Sequence, residues 1–450
     1  MIDLIKSISK KIGIDGAIAF TVLSRVIQAA SGVVTLLFVA KYLTKVEQGY
    51  YYTFGSILAI QIFFELGLSG IITQFVAHEN ANITWHDGIS FSGSKESSSR
   101  LASLLRFTVK WFAIISVLLF FGLLIAGYLF FSTYEKGNID VNWHIPWVIL
   151  SVTTSLSLMV SPILAFFEGL GRVEEVAKIR ITQQMVQLTF LLIFFSLGLK
   201  LFSSPLAATL SFSIIPFWIF FGKKRKLLTS IWDKIGDWQV NYRFEIFPYQ
   251  WKIALSWISG YFIFQLFNPV LFATEGAIVA GQMGMTLAAL GGISSISMSW
   301  INTKIPFFSS LIAQKKFKEL DILFNKTKTQ LLVVSFSLIL FLLLLVIIFD
   351  SFYHNLAVRF LNFNYVLLLS VVTFANQLIF SWATYLRCHK KDPYLINSIV
   401  GGALCALSTI FLGKYFGLDG IVYGYTFITV CFGLPWAFYV YIKKKLEWHL

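Results

Sequence analysis

Three observations predict an all-α polytopic membrane protein of about twelve transmembrane helices. Hydrophobic residues make up 57% of the 450-residue chain and aromatic residues 17%, against only 13% charged, a balance outside the range of soluble domains. The apolar residues are gathered into about twelve long runs. Lysine and arginine alternate between rich and poor gaps separating those runs.

The runs cover 17–40, 50–76, 108–131, 146–167, 181–199, 205–221, 253–273, 278–300, 331–349, 362–384, 394–412 and 418–441. Each is near the ~20 apolar residues a helix needs to cross a ~30 Å hydrocarbon core. In lipid only a helix satisfies its own backbone hydrogen bonds, so these runs are expected to be helices and not strands. The first run is too long for a signal peptide and lacks an A-x-A cleavage site, so it reads as a true span. The seventh contains Pro269, expected to kink its helix. Small residues such as Gly281, Gly284, Gly291, Gly292, Gly401 and Gly402 permit close helix approach. Trp143, Trp147, Trp251, Trp257 and Trp436 suit interfacial aromatic belts.

Charge orients the bundle. Of 36 Lys and Arg, 29 lie in the two termini and the even-numbered gaps (counting Lys110, two residues into the third run, with the gap before it) and 6 in the odd-numbered gaps, with Arg25 inside a run. The positive-inside rule then places both termini and every even gap in the cytoplasm. In a soluble protein a net charge of +14 would suggest nucleic acid. Here the charge lies on one membrane face, so it reads as topology and attraction to anionic membrane lipid, with no nucleic-acid partner.

Catalytic motifs are missing from the sequence. There is no Walker loop, no G-x-S-x-G and no H-E-x-x-H. Cys388, Cys405 and Cys431 lack metal-ligand spacing, and no histidines pair at i,i+4. The expected outer loops are short, and the longest water-exposed stretches (77–107, 222–252 and 301–330) are too short for independent domains. Function is therefore expected among the helices: no enzyme, no cofactor and no metal.

The chain divides inside its most basic loop into an amino-terminal six-helix lobe, 1–230, and a carboxy-terminal one, 231–450. A shift of 232 residues lays Leu43–Tyr50 over Glu275–Gln282, matching Gly49 with Gly281 where the second helix of each half begins. A shift of 217 lays Gly171–Val176 over Cys388–Pro393. An even number of helices per half makes the repeats parallel, an arrangement common in transporters that work by alternating access.

Polar residues inside spans are candidates for a site. Arg25 lies about eight residues into the first run, with Gln28 at i+3. A charge at that depth costs at least ~2.5–3.5 kcal/mol unless it faces a cavity or snorkels to the headgroups. A guanidinium suits a diphosphate or an acidic sugar because its planar fork donates two parallel hydrogen bonds. Glu65, the one carboxylate deep in a run, fits a cavity group that pairs with a cation or binds a coupling H⁺ or Na⁺. It equally fits a structural interhelical bond. Arg180, Gln183, Gln184 and Gln187 form one polar stripe, facing either a wet cavity or neighbouring helices. Gln265, Asn268, Gln282, Asn376 and Gln377 read as helix packing. The candidate substrate-binding set is thus Arg25, Gln28, Glu65, Arg180, Gln183 and Gln187.

The chain resembles the polysaccharide (O-antigen-type oligosaccharide) flippase family of the multidrug/oligosaccharidyl-lipid/polysaccharide exporter superfamily. The resemblance runs from Arg25 through Leu43-Thr44-x-x-Glu47-Gln48-Gly49-Tyr50-Tyr51 to Phe64-Glu65-Leu66-Gly67-Leu68. The Gly169-Leu170-Gly171-Arg172 turn and its partner at Leu386–Lys391 fit the same pattern. The resemblance implies a V-shaped bundle of two six-helix lobes in a bacterial inner membrane. It implies a transporter flipping polyprenyl-diphosphate-linked oligosaccharide from cytoplasmic to outer leaflet for surface polysaccharide assembly, with a lipid-linked oligosaccharide as partner. The alternative on the same fold is a cation-coupled multidrug or metabolite antiporter. A membrane polymerase or ligase would need a sizeable outer loop bearing catalytic residues.

Overall fold

The structure, a computed structural model, describes residues 27, 31–86, 89–135 and 141–449. Arg25 and Gln28 lie outside the described residues. The architecture is that of a polytopic helical membrane protein. Among the described residues nine helical stretches are long and apolar enough to cross a membrane, and a tenth is the bent pair Lys45–Glu65 plus Leu68–Asn80. The stretch Leu395–His449 covers the last two expected spans, and Ser31–Tyr42 is the end of the first.

The elements, in order, begin with α1 (Ser31–Tyr42) and α2 (Lys45–Leu58), then a broken segment, 59–67, and α3 (Leu68–Asn80). A hairpin of β1 (Ile83–His86) and β2 (Ser90–Gly93) follows, with Ile83 opposite Gly93 and His86 opposite Ser90. Then come α4 (Lys95–Tyr134), α5 (His144–Gly169), α6 (Val173–Ser196), α7 (Ser203–Phe220) and the short basic α8 (Lys223–Trp232). The remainder is α9 (Phe247–Phe264), α10 (Phe267–Thr274), α11 (Ala277–Asn302), α12 (Ile305–Ala313), α13 (Phe317–Phe352), α14 (Phe363–Arg387), α15 (Leu395–Phe427) and α16 (Leu434–His449).

Helices outrun the apolar segments wherever polar residues have something to hold. The 40-residue α4 starts thirteen residues before the expected span, and Ser94 caps it by accepting from the Ser97 amide at 3.0 Å. Pro269 acts as expected, with a refinement of position. A proline ring collides with the carbonyl four residues back, and the helix breaks at Gln265–Leu266, between α9 and α10. The expected gap at 413–417 has no polar turn. Only Gly417, at φ 55° and ψ −132°, leaves helical geometry there.

The residues cluster into two compact units. One comprises Leu58–Thr133 and Asn142–Ile258; the other comprises the described part of Gln28–Ile57, the described part of Tyr134–Val141, and Ser259 onward. In the first unit α3 packs on α5, and α7 on both α5 and α6. Gly169 makes the α3–α5 approach possible, because a Cβ there would run into Thr73 O and Val76. Trp143 and Trp147 are buried, only 1% and 2% exposed, and pack on Phe131. The Trp147 indole donates to Leu123 O at 3.0 Å. These two are core residues and not belt residues, because Gly127 leaves the Trp147 ring a slot against α4. Trp251 and Trp257 are exposed as a belt requires.

The same unit fastens the loop that follows α8. Ser99 donates to Trp238 O at 2.6 Å and accepts from the Gly236 amide at 2.8 Å. Ser103 accepts from the Val240 amide, and Arg106 donates twice to Trp232 O. These side chains recur on one face of α4 and so pin residues 232–240 along it. Arg100 joins Glu79 (2.8 Å) and Glu245 (2.5 Å).

In the second unit α11, α13 and α14 pack around one another, with α10 against α15 and α14 against α16. A second aromatic core of Phe308, Phe324, Tyr385, Tyr394 and Tyr441 lies at the end of this bundle where α16 finishes. Gly402 is small because Ser259 backbone occupies the space a Cβ would need.

Candidate functional site

The second expected span is broken at its most polar point. A 3₁₀ turn, Ala59–Gln61, and one helical turn, Ile62–Glu65, end at Leu66 (φ 50°, ψ 32°) and Gly67 (φ 68°, ψ 11°), both left-handed. The helices on either side meet at 40°. Glycine is tolerated there and needed, since a Cβ on Gly67 would strike Ile253 Cγ2 of α9. Leucine in the left-handed region costs roughly 1–2 kcal/mol. Strain of this kind persists where surrounding packing over-determines it.

A discontinuous helix at membrane depth leaves main-chain groups and a dipole end inside the span, which is tolerated where they face protein or a cavity. Glu65 occupies the carboxyl end of the first half-helix, so its charge adds to the negative end of the dipole and the spot favours a cation. Its side chain is half-buried and makes no hydrogen bond or ion pair among the described residues. Four residues on, the Ser69 hydroxyl is buried and also unpartnered among them.

The polar stripe on α6 divides between two neighbours. Arg180 pairs with Glu168 at the end of α5, at 2.9 Å, with its side chain 48% exposed. Gln183 donates to Ser211 O of α7 at 3.3 Å, and Ser211 donates back to Gln183 O at 2.9 Å. Gln187 is exposed and makes no hydrogen bond among the described residues. Of these three, Arg180 is held in an ion pair and Gln183 in two bonds to Ser211, and the Gln187 amide makes no hydrogen bond among the described residues. No hydrogen bond joins any of these three to Glu65. Among the packing candidates, Asn268 donates to Ser56, Gln282 to Val358 O, and Asn376 to the Tyr425 hydroxyl.

Reading the sequence overlooked Arg359, counted there as one more cation in a loop. Its guanidinium, half-buried between α13 and α14, donates to Leu43 O (2.7 Å) and Gln48 Oε1 (3.2 Å). The Gln48 amide in turn donates to Gly281 O (2.9 Å) and Arg359 O (3.0 Å). Burial pushes the guanidinium pKa down from its ordinary value, while the Glu47 carboxylate raises it. Thr44 and Glu47 close a capping box at the start of α2, with the Thr44 amide on Glu47 Oε2 at 2.8 Å and the Glu47 amide on Thr44 Oγ1 at 3.1 Å. Gly49 touches α11 so closely that a Cβ would enter the Ala277 carbonyl, and Gly281 faces Gly49 in return. The Thr44-x-x-Glu47-Gln48-Gly49 motif thus serves helix capping and close packing. The signal for the box was legible in the Thr-x-x-Glu spacing, whereas Arg359 had none.

No group of three or more His, Cys, Asp or Glu able to hold a metal occurs among the described residues.

Comparison with solved structures shows the fold to be that of transporters of the MOP superfamily. The lipid II flippase MurJ in an inward closed conformation superposes with a TM-score of 0.58 at 14% identity, covering 96% of this chain and 89% of that one. The MATE multidrug transporter DinF-BH gives 0.58 at 14% identity, covering 100% and 97%. A MOP superfamily transporter from Pyrococcus furiosus, described as having a binding pocket of reverse polarity, gives 0.55 at 13% identity, covering 96% of each. No protein-family model matches the chain, and no curated protein matches it. The multi-pass helical membrane fold is thereby established.

Proposed function

We propose that this transporter fold flips polyprenyl-diphosphate-linked oligosaccharide units from the cytoplasmic to the outer leaflet of a bacterial inner membrane, for surface polysaccharide assembly. Both termini then lie in the cytoplasm, and the 1–230 and 231–450 halves act as the two lobes of an alternating-access cycle. The observation that carries the choice of an anionic cargo is the scarcity of carboxylates: Glu65 is the one acid deep in an expected span. An anionic diphosphate loses hydration on entering the bundle and needs cationic partners in exchange. Arg25, with Gln28 beside it, and Arg180 are the candidate partners from the first six helices. Gln183 and Gln187 supply amides on the stripe that carries Arg180. The shared fold with a protein described as a lipid II flippase supports the reading.

Glu65, at the break of its helix, favours a second component. A half-buried carboxylate at a negative dipole end suits H⁺ or Na⁺ as a coupling ion, which is also what a multidrug antiporter on this fold would use. Sided transport in proteoliposomes separates the readings. With polyprenyl-diphosphate oligosaccharide inside one leaflet, we expect transfer by the intact protein, at least a tenfold slower rate for Arg25→Ala, and loss of ion dependence for Glu65→Gln. Absence of that transfer together with ion-driven efflux of small organic cations would assign the antiporter instead.

A further inference from the structure

Beside the helices, the first unit contains a cavity of about 480 Å³, of mixed polar and apolar lining, walled by three elements. Strand β2 supplies Phe91, Ser92 and Gly93; the first turns of α4 supply Lys95, Ser98 and Ser99; the pinned loop supplies Lys234, Gly236, Asp237 and Trp238. We propose that this cavity binds a phosphoryl anion, carried by the headgroup of a membrane lipid, with Lys95 and Lys234 as its ligands.

Charge is the first reason. Lys95 and Lys234 make no ion pair among the described residues, and one carboxylate, Asp237, faces them. Two uncommitted ammonium groups around one acid leave the cavity positive. Lysine holds phosphate as a point charge without demanding the planar geometry arginine needs. The serine hydroxyls already have partners: Ser98 donates to Ser94 O, Ser99 is bonded on both sides to the loop, and Ser92 is hydrogen-bonded to His86 Nε2. Recognition therefore falls on the two lysines.

Preorganisation is the second reason. Ser99 fixes the loop wall, and Gly236 lies close against it, where a Cβ would make a tight 3.3 Å contact with Ser99 Oγ. A wall fixed before the ligand arrives lowers the ordering cost of binding. The volume lies within the usual ~300–1,000 Å³ of ligand sites.

The aromatic rim selects the lipid over a free anion. Trp238, in the cavity lining beside Lys234, is 57% exposed. An exposed ring beside lysines is the composition of a membrane-facing surface. The cavity lies at the Lys/Arg-rich end of the unit, where anionic headgroups concentrate. This inference stands apart from the transport reading and needs only a membrane-embedded chain.

The test uses the full chain in nanodiscs of phosphatidylcholine, titrated with dihexanoyl phosphatidic acid in one arm and inorganic diphosphate in the other. Binding is read by affinity and by hydrogen exchange of segments 91–99 and 232–240. We expect protection of both segments by the lipid, a Kd weakened at least tenfold in Lys95→Gln/Lys234→Gln, and a Kd within threefold of the parent in Lys95→Arg/Lys234→Arg. Comparable binding of diphosphate would retain the phosphoryl site and overturn the lipid selectivity. An unchanged Kd in the glutamine variant, or no protection by either probe, would overturn the site, whatever the transport assay shows.

Discussion

At the scale of single residues, the second unit depends on atoms with no room to give. Gly49→Ala places a methyl into the Ala277 carbonyl, and overpacking of that kind costs about 1–3 kcal/mol. Gly291 and Gly292 of α11 have open space where a Cβ would go. A lowered thermal midpoint for Gly49→Ala beside an unchanged or raised one for Gly291→Ala is the expected pair of results. Arg359→Ala leaves Leu43 O and Gln48 Oε1 without their donor, at a cost of about 1–3 kcal/mol per buried group left unmet. Arg359→Lys should not restore the loss, because one ammonium cannot reproduce a fork reaching two acceptors. Thermal unfolding in detergent checks both.

His389 sets a pH dependence at the same scale. Its Nδ1 bonds Tyr385 O at 3.2 Å, and its Nε2 lies 3.3 Å from His449 Nε2. A carbonyl can only accept, so Nδ1 carries the proton and Nε2 receives from His449. Burial depresses the His389 pKa and Lys391 depresses it further, outweighing the bonds to Tyr385 and Leu386 backbone and the Asp321 carboxylate, which raise it. A depressed imidazole stabilises the fold above its unfolded pKa of about 6.5, and that contribution is lost as pH falls below it. Stability measured from pH 8 to pH 5 should therefore fall on acidification, and less steeply in His389→Gln.

At the scale of elements, the break after Glu65 is the feature with functional weight. Gly67→Ala meets both a left-handed φ and Ile253, so it should either straighten the span or lower stability. Leu66→Gly removes a conformational cost of roughly 1–2 kcal/mol without disturbing the break. Transport lost in Gly67→Ala and kept in Leu66→Gly would tie activity to the broken geometry. Retention in both would separate the break from transport. The α9–α10 break is set differently, by Pro269 acting on the carbonyl of Gln265. Pro269→Ala is expected to extend α9 through 265–266, a change that hydrogen exchange at those amides would register as slower exchange.

At the scale of the whole molecule, the fold is shared with proteins described as a lipid II flippase and as a multidrug transporter. Fold alone does not choose a cargo. The scarcity of carboxylates inside the expected spans, with Glu65 the one deep acid, favours an anionic cargo. Adding a second carboxylate near Glu65, as in Gln61→Glu, should weaken transfer of an anionic lipid-linked sugar in the sided assay by at least several-fold. A faster rate would point to a cationic cargo.

The sequence by itself determined the spans, because a hydrocarbon core admits only long apolar helices and every such run is written in consecutive residues. It located the Pro269 break to within a turn, and it matched Gly49 with Gly281, glycines that the structure brings into contact. What the tertiary structure decided is whichever partner lies far along the chain. Arg359 reaches Leu43 and Gln48 across more than 300 residues. Arg180 takes Glu168 while Gln183 takes Ser211, so one stripe serves two neighbours. Trp147 fills a slot that Gly127 opens and Trp143 packs beside it on Phe131, where the sequence offered a membrane belt. Periodicity records which face a helix hides from lipid or water, but the identity of the neighbour that covers it is fixed only when the helices pack.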